Sequence, residues 1–551
     1  MKKSRILSGI IALVLIAVFY WFTLPALTLR NPGFWIFLIF SLGIFLVCFS
    51  LTEIIGAIKQ VESTSFQVGG VRVSVPKRKN TDAPAMSKMI KVLLIVIGAL
   101  VLLMLILGIS SSTFFHADAY QALIQPTDGS FTEDVAELSM NQIPVVDRDT
   151  AARLGQRKLG EMSDLVSQFE ISGEYTQINY GNRPVRVTPL RYSDPIKWLN
   201  NQASGVPAYI RVDMVTQETT LVRLEQGMKY APYEYFMRDL TRYLRFQYPT
   251  RMFDNYSFEI DEEGTPYWVV STYEYRIGMW GGKDATGAIL VNAVTGEHTY
   301  YPLDQVPNWV DQIYESSLVL EQLNYNGKFR SGYWNSIFGQ RGVLQTTEGY
   351  NYIAVNDDVY LYTGMTSVVS DESNVGFVLV NLRTKETKFY SVPGAEEYSA
   401  MDSAQGQVQH LGYVSTFPLL LNVADRPTYF MSLKDAAGLV KMYAFVDVER
   451  YQIVGTGATV EEARAAYTRV LRQESDITGS ADNQERSGTI AAIQSAVVEG
   501  FTRYYFRLEG DETVYVASIE LSATLPFYQP GDTIVFTCTG DGSQRDVLTV
   551  G

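Results

Sequence analysis

Three uncharged apolar runs crowd the first 110 of the chain's 551 residues, at 6–24, 34–51 and 92–109. Each approaches the roughly 18–20 residues that carry a helix across bilayer hydrocarbon, so each is expected to span a membrane. Lys2, Lys3 and Arg5 give the first run a basic start resembling a cleaved signal. Its apolar length exceeds the roughly 7–15 residues of such a core, and a retained helix is expected. The third run has no polar face, which argues against a buried helix of a water-soluble domain.

Lys and Arg collect on the cytoplasmic side of spanning helices. The N-terminal tail and the 52–91 loop together hold ten of them, whereas the 26–33 turn holds only Arg30. This predicts a multi-pass plasma-membrane protein with a cytoplasmic N-terminus and all residues after about 112 extracytoplasmic. Positions 1–112 hold 11 Lys/Arg and 3 Asp/Glu of the chain's 45 and 59, leaving 34 against 56, a net of −22, for the exported part. That charge disfavours nucleic acid, and anionic lipid, as ligands of the ectodomain. The only cysteines are Cys48, in the second run, and Cys538, so no intrachain disulfide staples the ectodomain and core packing must hold it.

Internal repetition organises the rest. GAILVNAVTGEHTYY at 287–301 aligns without a gap with GFVLVNLRTKETKFY at 376–390. Upstream, Glu263, Gly264 and Tyr267 match Glu348, Gly349 and Tyr352, and Gly278-Met279 matches Gly364-Met365. Degenerate copies are expected around Gly205, Pro207, Tyr209, Asp213 and Glu218, and around Pro427, Tyr429, Asp447 and Glu449. Each unit reads as strand, turn and returning strand, with Asn292 or Asn381 and a Thr-x-Glu step supplying the turn chemistry. Helices are expected at 147–161 behind an Asp149 or Thr150 cap, along the stripe Tyr233, Phe236, Met237, Leu240, Tyr243 and Leu244, and after a Thr459–Glu462 capping box. The expected fold class is α+β. Three transmembrane helices (1–112, with a 52–91 loop) precede a 113–144 linker, a repeat ectodomain of antiparallel sheets with flanking helices at 145–475, and a small all-β domain at 487–551.

The segment from Gly264 through Val270, followed by LVNAVTGE at 290–297, resembles the PepSY domain, whose strands carry a V-D-x-x-T-G-E turn beside a helix. This chain has Asn292 and Asn381 where that family usually carries Asp. The resemblance implies an extracytoplasmic binding or inhibitory module, often tied to peptidase regulation, and implies no catalysis. The last segment follows a polar stretch, 473–486, expected not to pack. Its five short strands, with Pro530-Gly531-Asp532 before the fourth, resemble an OB-like barrel, an SH3-like barrel being the alternative. Arg503, Arg507 and Arg545 stand there against eight carboxylates, which argues against a nucleic-acid role.

His116, His298 and His410 lack the paired spacing of a zinc site, and no nucleophile elbow, His-Glu-x-x-His or P-loop occurs. No cofactor, metal or catalytic residue is expected. Gly455-Thr-Gly457 reads as a tight turn before a helix rather than a dinucleotide loop. The unusual feature is an aromatic load of 35 Tyr and 7 Trp. It makes Tyr267, Trp268, Tyr300, Tyr301, Tyr352 and Tyr390 the candidate binding residues, with the filling of strand faces as their competing role. The expected function is a non-enzymatic, membrane-anchored binding or regulatory module. Its partners are the bilayer, through three helices, and another exported or membrane protein. An accessory subunit of a membrane complex and a wall-acting enzyme with an unfamiliar site are the alternatives. A small hairpin is expected in the 52–91 loop around Gly69-Gly70.

Overall fold

The computed structural model describes residues 2–58, 63–68, 71–76, 88–137, 142–355, 358–368, 370–478, 484–498, 501–539 and 544–550. Helices α1 (Lys2–Thr23), α2 (Pro32–Ile58) and α3 (Lys88–Ser110) are each long and apolar enough to cross a membrane. The 52–91 loop carries the expected hairpin, Ser63–Val68 against Val71–Pro76. The remainder is mixed α+β with mostly antiparallel sheets. The chain divides into two compact units: residues 1–440 with 447–451, and residues 441–446 with 452–551.

In the first unit one module recurs: a lead segment, a helix, then a meander of strands. The helices are Arg148–Gly160, Leu240–Gln247, Ser316–Lys328 and Glu397–Gln407. The forward strands are Pro184–Tyr192, Pro266–Ile277, Asp358–Ser367 and Arg426–Lys434. In the first three modules the returning strand ends at Asp213, Asn292 or Asn381. There Oδ1 accepts from the backbone N–H groups two and three residues on, at 2.8–3.0 Å. Thr216, Thr295 or Thr384 then accepts the N–H of the following Glu at 3.2–3.3 Å. The intervening residues Gln217, Gly296 and Lys385 take φ of 63°, 79° and 65°, a region glycine enters without strain.

The residue after each Asx acts as a clasp. The N–H of Met214, Ala293, Leu382 and Val448 donates to the carbonyl of Pro184, Pro266, Val359 and Pro427 respectively, at 3.0–3.2 Å. Its carbonyl accepts from the lead segment of the same module: Val145 and Val146, Lys229 and Tyr230, Ile313 and Tyr314, or Ala395, at 2.8–3.2 Å. All four clasp residues are buried. One residue thus ties the lead segment, the start of the forward strand and the turn together, and satisfies backbone groups that would otherwise be buried unpaired. The second and third modules share a continuous core that includes Val269, Leu290, Leu323, Leu361, Val380 and Leu382.

Register corrects parts of the repeat alignment. Tyr267 lies opposite Asn292, and Tyr360 opposite Asn381, so Tyr360 rather than Tyr352 is the counterpart of Tyr267. Gly287 and Gly376 are equivalent, but the second module's hairpin runs on to Ile277 opposite Gly281, whereas the third closes at Ser367 opposite Ser370. Gly278-Met279 therefore sits at a hairpin tip and Gly364-Met365 inside a strand. In the first module Pro207 and Tyr209 lie on the returning strand, and Pro184-Val185 hold the forward position.

Local expectations shift as well. The first-module helix is capped by Asp147, which accepts from Thr150 N at 3.0 Å. The stripe from Tyr233 to Leu244 is broken: Phe236 takes φ 54°, and the helix begins at Leu240 behind Asp239, which accepts from Arg242 N at 2.8 Å. The expected linker is packed, with Thr127–Asp128 pairing parallel to the third-module strand Thr387–Tyr390 and Phe131 buried against Phe377 and Tyr390.

In the second unit, strand Val440–Asp447 pairs with Val454–Gly457. Gly455 and Gly457 lie so close to the helix Val460–Thr478 that a Cβ on either would meet the backbone N of Tyr467 or Ala463. The glycines serve close helix packing. The capping box forms: Glu462 N donates to Thr459 Oγ1 at 3.2 Å and Thr459 N to Glu462 Oε2 at 3.4 Å. Of the polar stretch, residues to 478 are helical, 484–486 begin a strand, and 479–483 lie outside the described residues. Five strands follow, Gln484–Val498, Phe501–Leu508, Val514–Ser518, Thr533–Thr539 and Gln544–Val550. The third pairs parallel with the fifth, and the first antiparallel with the fourth, which closes the ladder around a core of Ile490, Phe506, Tyr515 and Phe536.

Candidate functional site

The six aromatic residues singled out in the sequence are spread over two modules and do not gather into one surface. Trp268 is 1 % exposed and its Nε1 donates to Tyr230 O at 2.9 Å. Tyr390 is also buried, and Tyr267 packs on Trp309. Tyr300 lies under the Arg251 guanidinium at 3.5 Å, and Tyr301 packs against the core shared by the second and third modules. Tyr352, half-buried, lines a cleft.

That cleft lies where the first, third and fourth modules meet, and holds a cavity of about 30 Å³, room for a water or two. Its wall includes Asp147, Arg186, Tyr352, Phe417 and Met431. Arg186 arrives from the middle of a forward strand whose residues are nearly all buried. It is 5 % exposed, and its Nη2 donates to Gln177 Oε1 at 3.1 Å. Burial holds its pKa down to about 10, with the Tyr352 phenol and the Asp147 carboxylate opposing. Burial likewise pushes Tyr352 up to about 12, while its hydroxyl meets Ser316 Oγ at 2.6 Å. Burial pushes the Asp147 carboxyl up, but the Lys434 ammonium at 2.5 Å and the Thr150 N–H outweigh it and leave the group below its ordinary value. Exposed aromatics border the cleft: Tyr350 packs on Tyr352 and Tyr398 on Phe417. A buried cation behind an aromatic rim favours an anionic or hydrogen-bond-accepting group of a partner.

Two buried carboxylates knit the modules. Glu259 accepts from Asp311 N at 2.9 Å, Gln312 N at 3.2 Å and Ser257 Oγ at 2.7 Å. Asp311 Oδ2 in turn accepts from Asn179 N of the first module at 2.7 Å. Burial raises Glu259 to about 7. Glu397 accepts from Gly364 N at 2.9 Å and the Tyr362 hydroxyl at 3.1 Å, and burial raises it too. No motif announced these groups. The only signal for Glu259 is its place between Phe258 and Ile260 in a strand covered on both faces.

The C-terminal end of α1, the turn after it and the residues following α3 pack on the second module. Leu27 N donates to Pro249 O at 2.7 Å, Arg245 Nε to Leu24 O at 3.0 Å, and Met279 N to Ser111 Oγ at 2.9 Å. The 24–33 turn and the residues after 110 therefore meet the same module. Among the described residues, no three His, Cys, Asp or Glu side chains gather as a metal site.

No family model matches this chain, and no curated protein does. Among solved structures, a mutant B. megaterium levansucrase aligns at 9% identity and a TM-score of 0.16, covering 77% of this chain and 97% of that one. A prolyl endopeptidase aligns at 9% identity and a TM-score of 0.15, covering 81% and 62%. Scores this low carry no argument about fold or function.

Proposed function

We propose that the chain is a membrane-anchored, non-catalytic module of PepSY-like type that binds another exported protein. Its N-terminus is cytoplasmic and the modules are extracytoplasmic. The observation that carries the reading is the buried Arg186 guanidinium in a cleft rimmed by exposed aromatics, an arrangement suited to gripping a polypeptide rather than turning over a small molecule. The clasp, repeated in four copies, supports the PepSY-like assignment, since it holds the segment that leads into each helix against the Asx turn. The strand order of the terminal five-stranded ladder supports an OB-like reading over an SH3-like one.

The test is capture from an exported-protein fraction on the full chain in lipid nanodiscs, beside an Arg186→Met variant shown to unfold at the same temperature. Retention of one recurrent protein, weakened by about tenfold in the variant as loss of one charged hydrogen bond implies, supports the reading. Equal retention by both, or none by either, overturns it.

A further inference from the structure

The first unit carries two exposed apolar patches, and both adjoin helix exits. The first joins Ile196 and Leu199, on the short helix Pro195–Asn201, to Phe236, Met237 and Phe246; Ile196, Leu199 and Phe236 are 67, 60 and 65 % exposed. Phe246 packs edge-on against Tyr20 and obliquely on Trp21, in the last turn of α1. Arg242 bridges the same exit: its guanidinium stands 4.5 Å over the Trp21 ring and donates to Phe236 O at 2.8 Å. The second patch follows α3 directly. Phe114, four residues past Ser110, meets Tyr333 and Trp334, and Trp334 stacks on Phe338, which is 79 % exposed.

These contacts hold both patches at the level of the helix ends, which is where a bilayer has its interface. Their composition matches it: Trp, Tyr and Phe with flanking Arg and Lys. Residues 328–341 contain Lys328, Arg330 and Arg341 and no carboxylate. The local charge is thus opposite to the −22 of the exported part as a whole, and suits anionic headgroups.

We infer that the two patches are a docking surface for the bilayer leaflet on the ectodomain side, seating the modules against the membrane their own helices cross. An interfacial residue enters a few ångströms, so short helical segments such as Pro195–Asn201, Gly332–Trp334 and the π-helix Asn335–Gly339 suffice without a further spanning element.

The test labels single cysteines with an environment-sensitive fluorophore in the full chain with Cys48→Ser and Cys538→Ser, held in nanodiscs of mixed anionic and zwitterionic phospholipid. Sites are Phe236→Cys, Phe338→Cys and, in an exposed turn of the second module, Glu262→Cys. The first two are expected to emit to the blue of the third. They should be quenched on the order of twofold more by nitroxide lipids labelled at the shallow depth of about 5–10 Å that interfacial residues reach. Emission like that of the third site overturns the inference. A blue shift without lipid quenching also overturns it, and assigns the patches to protein contact.

Discussion

Arg245 Nε donates to the carbonyl of Leu24, 3.0 Å away, across 221 residues of sequence. The same guanidinium donates to Arg251 O at 2.6 Å, so one buried side chain pins the end of α1 to the second module. A cation there also suits the negative end of a helix dipole.

Arg245→Met leaves these carbonyls without their charged donor and is expected to cost about 2–4 kcal/mol, from roughly 1–3 kcal/mol per buried orphan. Arg245→Lys recovers only part, since a single ammonium cannot reproduce the fork. Thermal unfolding in nanodiscs checks both; an unchanged midpoint in the Met variant contradicts the pin.

The Asx turns use only an acceptor oxygen at Asn292, so Asn292→Asp is expected to be neutral within about 0.5 kcal/mol and Asn292→Ala to cost about 1 kcal/mol. Asn381 is buried and also donates from Nδ2 to Asp358 at 2.8 Å. Its Ala variant should cost roughly 1–3 kcal/mol more, read by denaturant unfolding.

Glu259 makes the first unit lose stability as pH rises from mildly acid to neutral. Its folded pKa of about 7 stands above the unfolded value, so the fold binds the proton more tightly. The contribution is fully present below the unfolded pKa, and is lost as pH rises through about 7, on the order of 3 kcal/mol in all. Glu259→Gln should flatten the stability profile between pH 4.5 and about pH 7, the span of that titration. A profile unchanged by the substitution contradicts the assignment.

Aromatics divide into packers and rim. Trp268→Ala is expected to cost about 3–5 kcal/mol as a large core truncation. Tyr350→Ala, at an exposed position, should change stability by less than about 0.5 kcal/mol.

The three long apolar helices and the turn repeats were legible because each writes its physics locally: an uncharged run, or an Asx followed by Thr-x-Glu. The Tyr267–Tyr352 match failed because the two hairpins differ in length, so that register places Tyr360, eight residues on, opposite Asn381 as Tyr267 is opposite Asn292. The 233–244 stripe failed because Phe236 and Met237 are apolar without being core. Arg186 and Glu259 left no periodic trace, since their partners, Gln177 and Asp311, come from other strands or segments. The net charge after residue 112 concealed a basic, aromatic stretch at 328–341.

The most direct test of the central claim is a photocrosslinking scan in cells, with the probe placed at Tyr350 and Tyr398 on the cleft rim, at Glu262 on an outlying turn, and at the exposed Ile95 of α3. The account predicts one recurrent exported protein from the two rim sites and none from the other two. Crosslinks confined to Ile95, joining α3 to another membrane protein, would contradict it and identify the chain as a subunit of a membrane complex.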